Sequence, residues 1–144
     1  MSVLFFWKGE NYYMDTRAGL AYHLNQDSEH IDDLNPGDHI WAFTRRKDKT
    51  YVLAADLIVT GTRVNRLGDP GYEYGKYHAE GDRRTSRYFD VDKGIDIEPI
   101  IRSLSFAPSA RVLGSSFQGR NGVRILTLSD QQRLASFSSR LLTV

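Results

Sequence analysis

The chain has 144 residues, 40% apolar and 26% charged, which suits one globular domain with an ordinary core. It has no cysteine, which excludes disulfide frameworks and thiolate metal centres and fits a reducing, cytoplasmic setting. The net charge of +1 does not announce a nucleic-acid binder by its total. Its makeup says more, because 14 of the 19 cations are arginine. Arginine presents a planar fork to phosphates and base edges and stacks on rings; a GC-rich genome that prefers arginine codons is the alternative source.

Ser2 to Trp7 reads as a first strand, too short and too soon interrupted by Lys8 and Glu10 for a signal peptide or membrane span. Asp15 or Thr16 can cap a helix over Arg17 to Leu24, with Leu20, Ala21 and Leu24 on one face. A second short turn spans Ser28 to Leu34, where Ile31 and Leu34 are spaced to pack together. Pro36-Gly37 then opens the central feature of the chain. His39 to Phe43 and Tyr51 to Val59 form a hairpin with apolar residues on both faces, so it is covered on two sides. Arg45, Arg46, Lys47 and Lys49 cap its turn.

Periodicity is lost after Gly61. Leu67 to His78 carries three glycines, three tyrosines and a proline and reads as a loop with exposed aromatics, of a length that is often functional. Arg83, Arg84 and Arg87 enter a short strand that runs to Val91. Asp96 caps a helix with Ile97, Ile100, Ile101 and Leu104 at i, i+3, i+4 and i+7 and Pro99 in its first turn. Arg111 to Phe117 and Val123 to Leu128 read as two strands joined through Asn121-Gly122, a hairpin signal. Ser129 and Gln132 offer a capping box for a last helix that buries Leu134, Phe137 and Leu141.

No catalytic constellation stands out. Gly71 to Lys76 has three residues between its glycines and Tyr77 after the lysine, so it is not a Walker loop. The four histidines share no metal-ligand spacing, and Gly114-Ser115-Ser116-Phe117 lacks the second glycine of a nucleophile elbow. Neither a metal nor a cofactor is expected. What stands out is aromatics and arginines near strand ends: Trp7, Tyr12, Tyr13, Trp41, Tyr72, Tyr74 and Tyr77, with Arg45, Arg46, Arg83, Arg84, Arg87, Arg120 and Arg124. Aromatic faces can stack an extruded base while arginines hold its flanking phosphates. Trp7 and Trp41 can equally be core residues of neighbouring strands.

The order of elements, with Phe6-Trp7-Lys8 ending the first strand and Asn35-Pro36-Gly37-Asp38 feeding His39 to Phe43, resembles the EVE domain of the PUA-like superfamily, which also holds YTH and ASCH domains. The resemblance spans nearly the whole chain and implies a single PUA-like domain over residues 1–144. Its α+β fold would be a curved, mixed β-barrel of five to six strands flanked by three short helices. It also implies a noncatalytic reader of a modified or flipped base in DNA or RNA, with an effector nuclease or modification enzyme as partner and no membrane. Carried over by position, Trp7, Lys8, Asn11, Tyr12, Tyr13 and Trp41 would form the base pocket, and Arg45, Arg46, Arg83, Arg84, Arg87 and Arg120 would hold phosphates. Gly9-Glu10-Asn11 replaces the family's Ser-Glu-Pro after the lysine, and Asn11 either reads a base edge or stabilises the turn. The alternatives are an ASCH-like small ribonuclease or amidohydrolase using Lys8, Tyr12 or a nearby arginine around a small substrate, and a protein-interaction module built on the tyrosine-rich loop.

Overall fold

A computed structural model of the chain describes residues 1–9, 12, 13 and 22–144. The chain folds as α+β around a seven-stranded mixed sheet. Its strands are β1 (Ser2–Phe6), β2 (His23–Gln26), β3 (His39–Arg45), β4 (Tyr51–Val64), β5 (Tyr77–Gly81), β6 (Arg87–Tyr88) and β7 (Val123–Leu126). They run in the order β2-β5-β4-β3-β1-β7, with β6 pairing β4 off that path. β1 lies parallel to β3 and antiparallel to β7. The expected closed barrel does not form among the described residues. β7 meets the 3-10 turn Glu29–Ile31 and the last helix beyond β1, so its outer edge faces helical segments instead of β2.

The hairpin β3–β4 forms where the two apolar runs place it. Asn35 to Asp38 makes the turn into it, with the Asp38 N–H donating to the Asn35 carbonyl (3.0 Å). Gly37 there has φ 91°, a conformation glycine adopts without a Cβ penalty. The sheet is buried on both faces. Val3, Phe5, Ile40, Ala42, Ala55, Leu57 and Val59 belong to one core. Leu4, Trp41, Phe43, Tyr51 and Leu53 belong to the other, which the described helices cover with Ile97, Ile101, Leu134 and Phe137. Strict alternation would put Leu53, Ala55 and Leu57 on one face. The register instead jumps between Ala42 (opposite Ala55) and Phe43 (opposite Leu53), and Ala54 is the extra residue of a bulge. One inserted residue reverses which side chains point to which face, so Leu53 and Ala55 enter different cores.

Elsewhere the helical signals shift by a residue or two. Two α-helices are described, α1 (Glu98–Arg102) and α2 (Leu128–Ser138). Asp96 Oδ1 accepts from the Glu98 N–H at 2.9 Å, as its position suggests. The first expected helix falls largely on residues outside those described, and its last two, His23 and Leu24, open β2 instead. Arg111 to Phe117 is not a strand: a 3-10 turn occupies Leu113–Ser116. Asn121-Gly122 closes no hairpin, because a further 3-10 turn covers Gly119–Asn121. No helix among the described residues is long and apolar enough to cross a membrane.

The capping box of α2 is Thr127 with Asp130 in place of Ser129 with Gln132, because the helix begins two residues earlier, at Leu128. Burial by itself would raise the Asp130 carboxyl. The donors around it, Ser105 Oγ and N–H and the Thr127 N–H, outweigh that and hold it below the ordinary carboxylate value. A carboxyl depressed on folding adds stability above its unfolded value and loses it as pH falls through the folded one, so the loss comes below about pH 4. Asp130→Asn should cost about 1 kcal/mol at pH 7 and flatten the acid limb of a Tm-against-pH profile. Profiles that stay parallel down to acid pH would contradict this.

Candidate nucleobase-sized cavity beside Trp7

On the first face of the sheet lies a cavity of about 340 Å³. Its floor is the Ala42–Ala55 pair at the centre of the β3–β4 ladder, with Leu57 and Phe5 beside it. Two methyl groups at the middle of an otherwise bulky sheet leave the space open. Trp7, one residue beyond β1, forms one wall, held there by its N–H donating to the Phe43 carbonyl at 2.7 Å. Tyr12 packs edge-on against the indole at 5.9 Å and 82°. The Tyr12 hydroxyl is spent on the Phe89 carbonyl (2.6 Å), and burial raises its pKa.

Tyr88 forms the adjoining wall, packed tilted against Trp7 at 6.0 Å and backed edge-on by Tyr22. The Arg83 guanidinium lies over the Tyr22 ring at 5.6 Å, so a cation stands behind that wall. Tyr74, 75% exposed, reaches the rim from the 3-10 turn Tyr72–Tyr74. Its loop is clamped to β2. A Cβ on Gly75 would lie 2.5 Å from the Gln26 nitrogen, and the Asn65 amide donates to the Gly71 and Gly75 carbonyls and to Asn25 Oδ1. Because those carbonyls fix the Asn65 amide as donor, Asn25 presents oxygen, and the buried His78 carries hydrogen on Nδ1 to reach it (2.8 Å).

The remaining wall is β2, through His23, Leu24 and Asn25. The Gly81 N–H donates to the Tyr22 carbonyl at 2.7 Å. In the alternation of an antiparallel ladder, the main-chain groups of His23 and Asn25 therefore turn away from β5, toward the outer edge of the sheet. An aromatic-walled space thus borders a strand edge that has no strand partner among the described residues.

Of the six residues expected in a base pocket, Trp7 alone lines this cavity among those described. Trp41 is fully buried on the other face, stacked on His39 at 5.7 Å, with its Nε1–H on Gln131 Oε1. Parity separates the indoles: Leu4 pairs with Trp41, so Trp7, three residues on, projects to the opposite side. Trp41 is a core residue, not a stacking wall. Tyr12 is a buried brace, and the Tyr13 hydroxyl is engaged by Asp92 (3.0 Å). Lys8 points to a separate cleft under the second face. Asn11 lies outside the described residues.

The arginines divide in the same way. Arg46 donates to the Val91, Asp92 and Gly94 carbonyls and pairs with Asp48, so it is a strut of the hairpin turn. Arg87 pairs with the buried Asp56 and bonds Ser138 on the helix side. Those two are structural. Arg45, Arg83, Arg84 and Arg120 are exposed. His39, at the start of β3, brings its ring Nδ1 to Asp56 Oδ1 at 2.7 Å. The sequence inventory of aromatics held Tyr74 but missed Tyr88, Ala42, Ala55 and β2. A small-residue pair opposite each other is visible only once the register is known. Among the described residues no group of three or more His, Cys, Asp and Glu could hold a metal ion. Compared with protein-family models and with curated proteins, the chain matches none.

Proposed function

We propose that this chain is a noncatalytic nucleic-acid reader, an EVE-like member of the PUA-like group, and that a flipped, modified base enters the cavity beside Trp7. The observation that carries the reading is the alanine-floored cavity walled by Trp7 and Tyr88. Its size is at the small end of ligand sites and suits one heterocycle. The rings would stack the base, and the main chain of His23 and Asn25 would offer a donor and an acceptor to its edge. Arg83, whose guanidinium lies over Tyr22 behind the Tyr88 ring, and its neighbour Arg84 would hold flanking phosphates.

A binding screen of methylated and hydroxymethylated DNA and RNA oligonucleotides tests this. Trp7→Ala should cost the modified oligonucleotide about 1–3 kcal/mol of affinity and leave the plain one nearly unchanged. Arg83→Ala with Arg84→Ala should weaken both alike and flatten the salt dependence. Equal losses for both oligonucleotides from Trp7→Ala would defeat the reading, and cleavage of the bound strand would favour the ribonuclease alternative.

A further inference from the structure

A second cleft lies under the other face of the sheet. Its cavity of about 260 Å³ is floored by Phe6, Tyr51 and Phe117 and rimmed by Lys8, Arg45, Ser115 and Gln118. Three local facts build it. Arg45 pairs with Tyr51 across β3–β4, which places the guanidinium over the phenol ring at 5.3 Å. The turn Leu113–Ser116 is drawn onto β1 and β4, with the Gly114 N–H donating to the Tyr51 hydroxyl (3.1 Å) and a Cβ on Gly114 only 3.2 Å from the Phe6 ring. Lys8 follows Trp7, so strand alternation sends it to this side.

No carboxylate lines the cleft among the described residues. Lys8 and Arg45 enter none of the ion pairs there, although the chain pairs other cations with acids. Among the described residues Arg45 spends only Nε, on the Lys49 carbonyl, which leaves both terminal nitrogens of its fork uncommitted there. Stacking on Tyr51 holds that fork in place before anything binds, which lowers the ordering cost of a bidentate contact.

We infer that the Lys8–Arg45–Ser115–Gln118 cleft is a binding site for a phosphate-type oxyanion. Two cations and the Ser115 and Gln118 donors converge on one concavity, matching an acceptor-rich anion that carries more than one negative charge. The aromatic floor excludes water beneath it and strengthens each contact. The site is independent of the cavity beside Trp7 and stands whether or not a base binds there.

The test is a titration of the full chain with inorganic phosphate at constant ionic strength, followed by amide NMR shifts. Saturable shifts at Arg45, Ser115 and Gln118 are expected, with acetate at equal ionic strength producing none. Arg45→Ala should weaken phosphate about tenfold, a change of the size expected for a lost charge-assisted contact. Arg45→Lys should not restore it, since it keeps the charge and loses the fork, whereas Lys93→Ala, an exposed cation elsewhere, should change nothing. A plain single-stranded oligonucleotide distinguishes the two sources of such an anion. Binding tighter than phosphate and lost in Arg45→Ala identifies a nucleic-acid backbone, and binding no tighter identifies a small phosphorylated molecule. Shifts that fail to saturate, spread over the other exposed arginines, or persist in Arg45→Ala overturn the proposal.

Discussion

Trp41→Ala should destabilise the protein by about 3–5 kcal/mol, the range for removing a large aromatic side chain from a packed core. Trp41 is fully buried among Leu4, Phe43 and Leu53, stacks on His39, and is tied to α2 through Gln131. The variant leaves an indole-sized void between sheet and helix, and Gln131 loses its donor. Against a total stability of about 5–15 kcal/mol, the midpoint of thermal unfolding should fall on the order of 10 °C. Trp41→Phe separates the two contributions: it keeps most of the packing and should cost about 1–2 kcal/mol through the lost hydrogen bond and the smaller ring. Trp7→Ala, at a half-buried position, should cost less than Trp41→Ala. Chemical denaturation of the three variants checks the order. A Trp41→Ala protein as stable as Trp7→Ala would mean that the second core is not where the burial energy lies.

The second large effect is at Asp56, whose carboxylate is 2% exposed and held by the His39 ring at 2.7 Å and Arg87 at 3.0 Å. Asp56→Ala leaves a guanidinium facing the core side of the sheet and an imidazole N–H with no acceptor. Breaking a fully buried pair costs about 3–5 kcal/mol, and because Arg87 is about a third exposed to water the loss here should be about 2–4 kcal/mol. The loss should persist in high salt, since screening acts weakly on a buried carboxylate. Arg87→Met should destabilise comparably by leaving that carboxylate with His39 alone. Asp56→Leu combined with Arg87→Met should recover much of the stability, because neither charge is then stranded. If the single variants fell within about 0.5 kcal/mol of the parent, the network would be no more than a surface contact.

Both predictions concern residues that composition alone would assign elsewhere. An indole among arginines invites a stacking role, and Arg87 sits in a cluster with Arg83 and Arg84. Tertiary pairing reassigns each. β6 places Arg87 opposite Asp56 and Tyr88 opposite Ala55, so consecutive residues serve the helix-side network and the cavity wall. Arg46 is reassigned by the loop at Val91 to Gly94, whose carbonyls converge on it from far along the chain.

Much of the architecture was legible beforehand. The first strand, the Pro36-Gly37 turn, the two-faced hairpin, the Ile97–Leu104 stripe and the last helix are local patterns, and each needs only its own residues and their period. The helix end at Thr127, the 3-10 turn in place of a strand at Leu113, and the continuation of β4 to Val64 depend on what packs beside them, and short polar stretches carry no period strong enough to settle that. The sequence by itself determined the central hairpin and the covering of both its faces, because uninterrupted apolar runs leave no face for water. Only the tertiary structure decided that Trp7 and Trp41 occupy opposite sides and that two alanines floor a cavity. Side-chain facing follows from register and from a single-residue bulge at Ala54, and neither leaves a trace in residue type.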